Sequence, residues 1–95
     1  MTIEQRIHQG ARAKEILENE EFTASFDAIE KEVTEQWLNS PARDLEGREK
    51  LWQYLMMLRK VKATLTTTLE TGKLAQLELQ HKMTLKERVK VAWRG

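Results

Sequence analysis

The chain has 95 residues, of which 33% are charged, yet its formal net charge at neutral pH is only +1. A chain this short holds one domain at most and buries only somewhat over half of the surface its unfolded form exposes. It has no cysteine, which excludes disulfides and thiolate metal sites and leaves self-association as the route by which a thin core could be supplemented.

Proline and glycine are scarce, and alanine, glutamate, leucine, lysine and glutamine are common, a composition that favours helix throughout. In chain order, Thr2 followed by Gln5 has capping-box spacing and predicts a helix from near Ile3. Its apolar stripe of Ile3, Ile7, Ala11, Ala13 and Leu17 is weak and is interrupted by Gly10. Asn19 ahead of Glu20 and Glu21 reads as a second N-cap with acids in the first turn, where the helix dipole favours them. Phe22, Phe26, Ile29, Val33 and Trp37 then recur at spacings of four, three, four and four, one face of an amphipathic helix.

The stretch "NSPA" breaks that pattern after Leu38. Ser40 is placed to cap a third helix and Pro41 to occupy its first position, where a missing N–H costs nothing. Two helices joined by so short a connection form an antiparallel hairpin. Leu51, Leu55, Leu58, Val61, Leu65 and Leu69 make the main stripe of the third helix. Trp52, Met56 and Ala63 fall a quarter-turn or more from it, and Met57 lies off the other side. Residues 51–58 are thus apolar around most of their circumference and want cover on more than one side, from the N-terminal helix or from another chain.

Length sharpens the expectation. Residues 20–38 span about 28 Å and residues 41–71 about 46 Å. The shorter arm therefore leaves Leu65, Leu69, Leu74, Leu77 and Leu79 without cover. Gly72 reads either as the end of the third helix or as an interior residue at a cost of about 1 kcal/mol, and the threonines of "TLTTTLETG" make a bend plausible there. Thr84 with Glu87 repeats the capping-box spacing and opens a last segment, "LKERVKVAWRG". Leu85, Val89, Ala92 and Trp93 fit one helical face, while Val89, Val91 and Trp93 alternate with bases as a strand would. Helix followed by a loose end is the preferred reading.

The near-neutral total hides a gradient. Residues 1–50 carry 7 bases and 12 acids, and residues 51–95 carry 9 bases and 3 acids. Opposed poles suit contact between copies, or an acidic partner for the C-terminal end; the plain alternative is two solvated faces. Lys82, Lys86, Arg88, Lys90 and Arg94 could track phosphates while Trp93 stacks on a base. They could equally balance a helix C-terminus or an acidic patch on another copy.

Motifs for chemistry are poor. "ETGKL" echoes the end of a phosphate-binding loop, but position 67 is Thr67 where the loop needs glycine, and Leu74 follows Lys73 where it needs Ser or Thr. Glu78 and His81 have the Glu-x-x-His spacing of di-iron bundles. One copy per chain is too few, and a symmetric dimer with Glu30, Glu32 or Glu35 would be needed to complete a site; an ordinary solvated pair is the simpler reading. Ser25 and Ser40 are the only serines, and no nucleophile sits beside a base by local spacing. No enzyme, metal or cofactor is expected. No apolar run approaches the ~20 residues of a membrane span, and "MTIEQRIHQG" is unlike a signal peptide, so a soluble intracellular protein is expected.

The runs "ARAKEILENEEF", "NSPARDLEGREKLW", "LRKV" and "LETGKLAQLELQHK" resemble a class of small, mostly helical proteins encoded by tailed bacteriophages among their virion-assembly genes. The resemblance covers residues 11–82, leaves the basic tail unexplained and carries over no catalytic residue. It implies a phage origin, a structural or assembly role, and a place in the host cytoplasm or the virion.

Together these readings predict an all-α protein: an antiparallel helical hairpin of residues 20–71, a packed N-terminal helix and a C-terminal helical extension. Residues 1–83 form one helical domain and 84–95 a basic segment. The expected activity is non-enzymatic assembly through helix-mediated homo-oligomerisation, with Trp52, Met56, Met57, Leu65, Leu69, Leu74 and Leu77 as the contact surface. A monomer core is the alternative role for those residues. Alternative functions are binding of a host factor through the acidic 15–35 face, or of nucleic acid through 82–95.

Overall fold

The computed structural model describes the chain from Met1 to Arg94, and among these residues it holds three α-helices and no strand: α1 (Ile3–Glu18), α2 (Glu20–Asn39) and α3 (Leu45–Arg94). The capping box forms as its spacing predicts. The Gln5 N–H donates to Thr2 Oγ1 at 3.1 Å and the Thr2 N–H donates to Gln5 Oε1 at 3.0 Å. Asn19 does two jobs at once, closing α1 and opening α2. Its extended backbone (φ −69°, ψ 122°) turns the chain, and its Oδ1 accepts the Phe22 N–H at 2.9 Å. Thr23 Oγ1 donates back to the Leu17 carbonyl at 3.2 Å, tying the start of α2 to the end of α1.

The corner between α2 and α3 differs from expectation. Ser40 finishes α2 rather than starting α3: both its N–H and its hydroxyl donate to the Trp37 carbonyl, at 3.2 and 2.6 Å. Pro41 lies in the connection, and the N-cap of α3 is Asp44, whose Oδ1 accepts the Gly47 N–H at 3.1 Å. A carboxylate there also meets the positive end of the helix dipole.

α3 is one helix of 50 residues. It passes Gly72 without stopping, and no strand forms over 89–93. The threonine hydroxyls find their acceptors inside the helix: those of Thr64, Thr66 and Thr68 donate to the carbonyls four residues earlier at 2.8–3.0 Å. Thr84 does likewise, donating to the Gln80 carbonyl, so it lies inside α3 and opens no new segment.

α1 and α2 together form one broken arm laid antiparallel to α3. The contacts that set the register run in opposite directions along the two arms. The Arg48 guanidinium lies 4.3 Å from the Trp37 ring centre, Arg59 Nε lies 3.6 Å from Glu30 Oε1, and Lys62 sits over the Phe26 ring. Farther on, Gly72 meets Gly10, and Glu78 Oε2 lies 3.5 Å from Arg6 Nη2. α1 therefore extends the shorter arm, and it covers leucines that the sequence leaves bare. Leu65, Leu69 and Leu79 are half-buried, whereas Leu74 and Leu77 face outward.

On α3 the line Leu51, Leu58, Leu65, Gly72 and Leu79 recurs every seven residues. That period keeps one line of a helix against a neighbour over many turns. The core along it is thin, with Ala13, Phe26 and Ala75 as its buried apolar side chains. The molecule is a rod of 78 × 25 × 17 Å with a radius of gyration of 21.6 Å, against about 12 Å for a compact domain of this length. Its accessible surface is 8018 Å², where a compact protein of this mass would expose about 5,700 Å².

Candidate interaction surfaces

The two halves of the rod are built differently. Where α1 meets α3, glycine and alanine form the seam, and Gly10, Ala13, Gly72 and Ala75 are all buried. Where α2 meets α3, the side chains are large and the seam leaves an apolar groove on each flank. One groove is lined by Trp37, Leu38, Leu51, Trp52 and Leu55. The other is lined by Ile29, Val33, Tyr54, Met57, Leu58 and Val61. Large side chains on both helices hold their axes apart, so residues one row off the contact line stay wet.

The exposure is substantial. Leu38 is 66% exposed, Tyr54 61% and Met57 63%. Scattered surface apolar residues need no explanation, but contiguous rows of them along a groove mark a contact surface. The expected second cover over residues 51–58 is absent from the arrangement of α1, which lies end to end with α2 and covers residues farther along α3.

The seven residues expected to form an oligomer surface do not share one surface. Met57 lines the second groove and Trp52 the first. Met56 is half-buried but lines neither groove. Leu69 joins Ile7, Gly10 and Ala11 at the α1–α3 seam, and Leu65 is half-buried beside Val61. Leu74 and Leu77 lie on the far face of α3. Sequence reasoning set Ile29 and Val61 in the packing stripes of their helices, where the structure leaves both exposed, and gave Leu38 and Tyr54 no part in a contact surface. The signal for them was available in the seven-residue line itself: once Leu51, Leu58 and Leu65 are assigned to the seam, Tyr54 and Val61 share the row beside it.

A third surface is the end of α3. Every side chain described from Gln80 to Trp93 is exposed, because Arg6, in the first turn of α1, already lies opposite Glu78 and little of the arm reaches farther. Residues 81–94 project about 20 Å beyond it. Two adjacent rows run along this extension at i, i+4 spacing. Leu85, Val89 and Trp93 make the apolar row, and Lys82, Lys86 and Lys90 the basic one. Trp93 is 87% exposed. Arg88 lies on another side of the helix, and the side chain of Arg94 lies outside the described residues.

Glu78, half of the Glu-x-x-His pair, is engaged with cations: Arg6 and Lys82 each place a nitrogen 3.5 Å from one of its oxygens. Among the described residues no three His, Asp or Glu side chains come together as a metal ion would require, and no helix is long and apolar enough to cross a membrane.

No family model matches the chain, and neither a curated protein nor a solved structure matches it. Its surfaces must therefore be read from their own chemistry.

Proposed function

We propose that this chain is a non-enzymatic assembly protein that works by helix-mediated association with further copies of itself. One observation carries the reading. The molecule exposes 8018 Å², roughly 2,300 Å² more than a compact chain of its mass, and Leu38, Trp52, Tyr54 and Met57 are among its exposed apolar side chains. A standard interface takes about 800 Å² from each partner. A rod with this much uncovered surface gains more by pairing than a compact domain would, at about 25 cal/mol for each Å² of apolar area removed from water.

The resemblance of residues 11–82 to small helical phage proteins supports placing that assembly in virion construction, in the host cytoplasm or within the particle. Sedimentation equilibrium over a wide concentration range tests the association itself. The expected result is a mass that rises to a discrete multiple of the 11.2 kDa chain; a single monomer mass throughout would overturn the reading.

A second reading rests on the extension. Three lysines in one row beside an indole that is 87% exposed suit a nucleic-acid backbone with an adjacent stacking platform. Binding of single-stranded DNA that weakens steeply between low and moderate salt would support it.

A further inference from the structure

We infer that the outward face of α3 between Thr67 and Thr84 pairs antiparallel with the same face of a second copy, closing a two-fold dimer about an axis between residues 75 and 76. The inference rests on the self-association reading and names the surface that performs it.

Position is the first argument. The seam with α1 runs along Leu65, Gly72 and Leu79, with Thr68 and Ala75 between them, and each of these is at least half-buried. The seven-residue period of that seam fixes which positions stand opposite it. Thr67, Glu70, Leu74, Leu77, His81 and Thr84 recur on the far side at alternating spacings of three and four, and all six are exposed. Leu74 is 67% exposed and Leu77 61%, on the face that a two-helix rod ordinarily gives to polar residues. α1 packs on the other side of α3 and leaves this face open.

Register is the second. About the proposed axis Leu74 faces Leu77 of the second copy, Glu70 faces its His81 and Thr67 faces its Thr84, and each pairing occurs twice. An imidazole carries an N–H in either protonation state, so His81 is a donor for the Glu70 carboxylate. Among the described residues neither Glu70 nor His81 has an ion-pair partner in its own chain. A slip of one heptad would set Leu77 on His81 or Leu74 on Glu70. Polar residues inside such a stripe fix its register for that reason.

Charge is the third. A parallel pair would oppose Glu70 to Glu70 and lay two basic extensions side by side, whereas the antiparallel pair sends them to opposite ends. Each extension then runs level with residues 57–69 of the other α3, along which α2 is laid, as the Arg59–Glu30 and Lys62–Phe26 contacts show. There the bases Arg59, Lys60 and Lys62 are offset by α2 residues 20–32, which carry five acids and one base. Lys82 and Lys86 stand seven positions beyond Ala75 and Leu79, continue the α1 side of the helix and stay outside the pair.

The absence of native cysteine makes the test direct. Full-length Thr67→Cys and Thr84→Cys variants are prepared singly, mixed in equal amounts and treated with a short bismaleimide. A covalent dimer is expected from the mixture and not from either variant alone, since like positions sit about 26 Å apart along the two-fold pair. In parallel, Leu77→Lys is expected to weaken dimerisation by about tenfold or more. Its urea midpoint at low concentration should stay that of the unmodified chain, because Leu77 is mostly exposed in the single molecule. Glu70→Lys is expected to weaken the dimer as well, and His81→Glu in the same chain to restore it.

If the unmodified chain sediments as an oligomer but the mixture gives no cross-link, or either variant cross-links to itself, this pairing is wrong while self-association stands. A Leu77→Lys chain that keeps its dimer mass, or a charge-swapped chain that stays monomeric, overturns it likewise. If the unmodified chain is a monomer at every concentration, both fall.

Discussion

Gly10 and Gly72 lie back to back where α1 packs on α3: a Cβ placed on either residue would stand 2.7 Å from the Cα of the other. Real side-chain carbons do not approach so closely, so the two helices touch through their backbones. Among the described residues no glycine has a positive φ. These two are therefore required for space rather than for an unusual backbone conformation.

Gly72→Val is accordingly expected to destabilise the chain by about 1–3 kcal/mol, although valine is the better helix former. The methyl groups would meet the α1 backbone, which cannot rotate away as a side chain could. A lower urea midpoint by circular dichroism checks this; a midpoint at or above that of the unmodified chain would show that the seam opens freely.

The start of α3 offers a cleaner contrast. Asp44→Ala removes the acceptor for the Gly47 N–H and should cost about 1 kcal/mol, while Asp44→Asn, an equally good cap, should cost little. Thermal melts of the two variants, compared at one concentration, test whether Asp44 is the cap.

Trp37 and Arg48 brace the corner. The guanidinium stands 4.3 Å from the ring centre and donates to the Ser40 carbonyl at 3.3 Å. Arg48→Ala should cost about 1 kcal/mol, and Arg48→Lys should recover only part of that, since an ammonium lacks the planar fork. In a background of Trp52→Phe and Trp93→Phe, the emission of Trp37 is expected to move to longer wavelength in Arg48→Ala.

The Arg6–Glu78 pair should matter far less than the glycines beside it. Its closest approach is 3.5 Å and both side chains are partly exposed. Glu78→Ala should change stability by under about 1 kcal/mol, and the effect should shrink with added salt. A larger loss would mean that the pair positions α1 rather than decorating it.

Trp93 reports on the end of α3. With Trp37 and Trp52 replaced by Phe, its emission at low concentration should be that of a hydrated indole, given 87% exposure. A blue shift as concentration rises is expected if the extension becomes covered. An emission maximum that stays constant while the mass grows would place the contact elsewhere on the rod.

The residues alone determine that the chain is helical and where two of its helices begin, because a helix cap is a local device. Thr2 with Gln5 and Asn19 with Phe22 each close a bond three residues away, and the face from Phe22 to Trp37 is written at the helical period. The corner was legible as a corner but not in detail. Ser40 and Asp44 are both competent caps, and which helix end each serves depends on how the chain leaves α2.

What only the tertiary structure decided is the place of α1 and the meaning of Gly72. A glycine in a helical pattern looks the same whether it ends the helix, weakens it or admits a neighbour. The difference lies in a backbone that arrives from 62 positions earlier in the chain. The same holds for the apolar rows of α3: period shows which residues share a face, but which face is left uncovered depends on where the other arm comes to rest and how far it reaches.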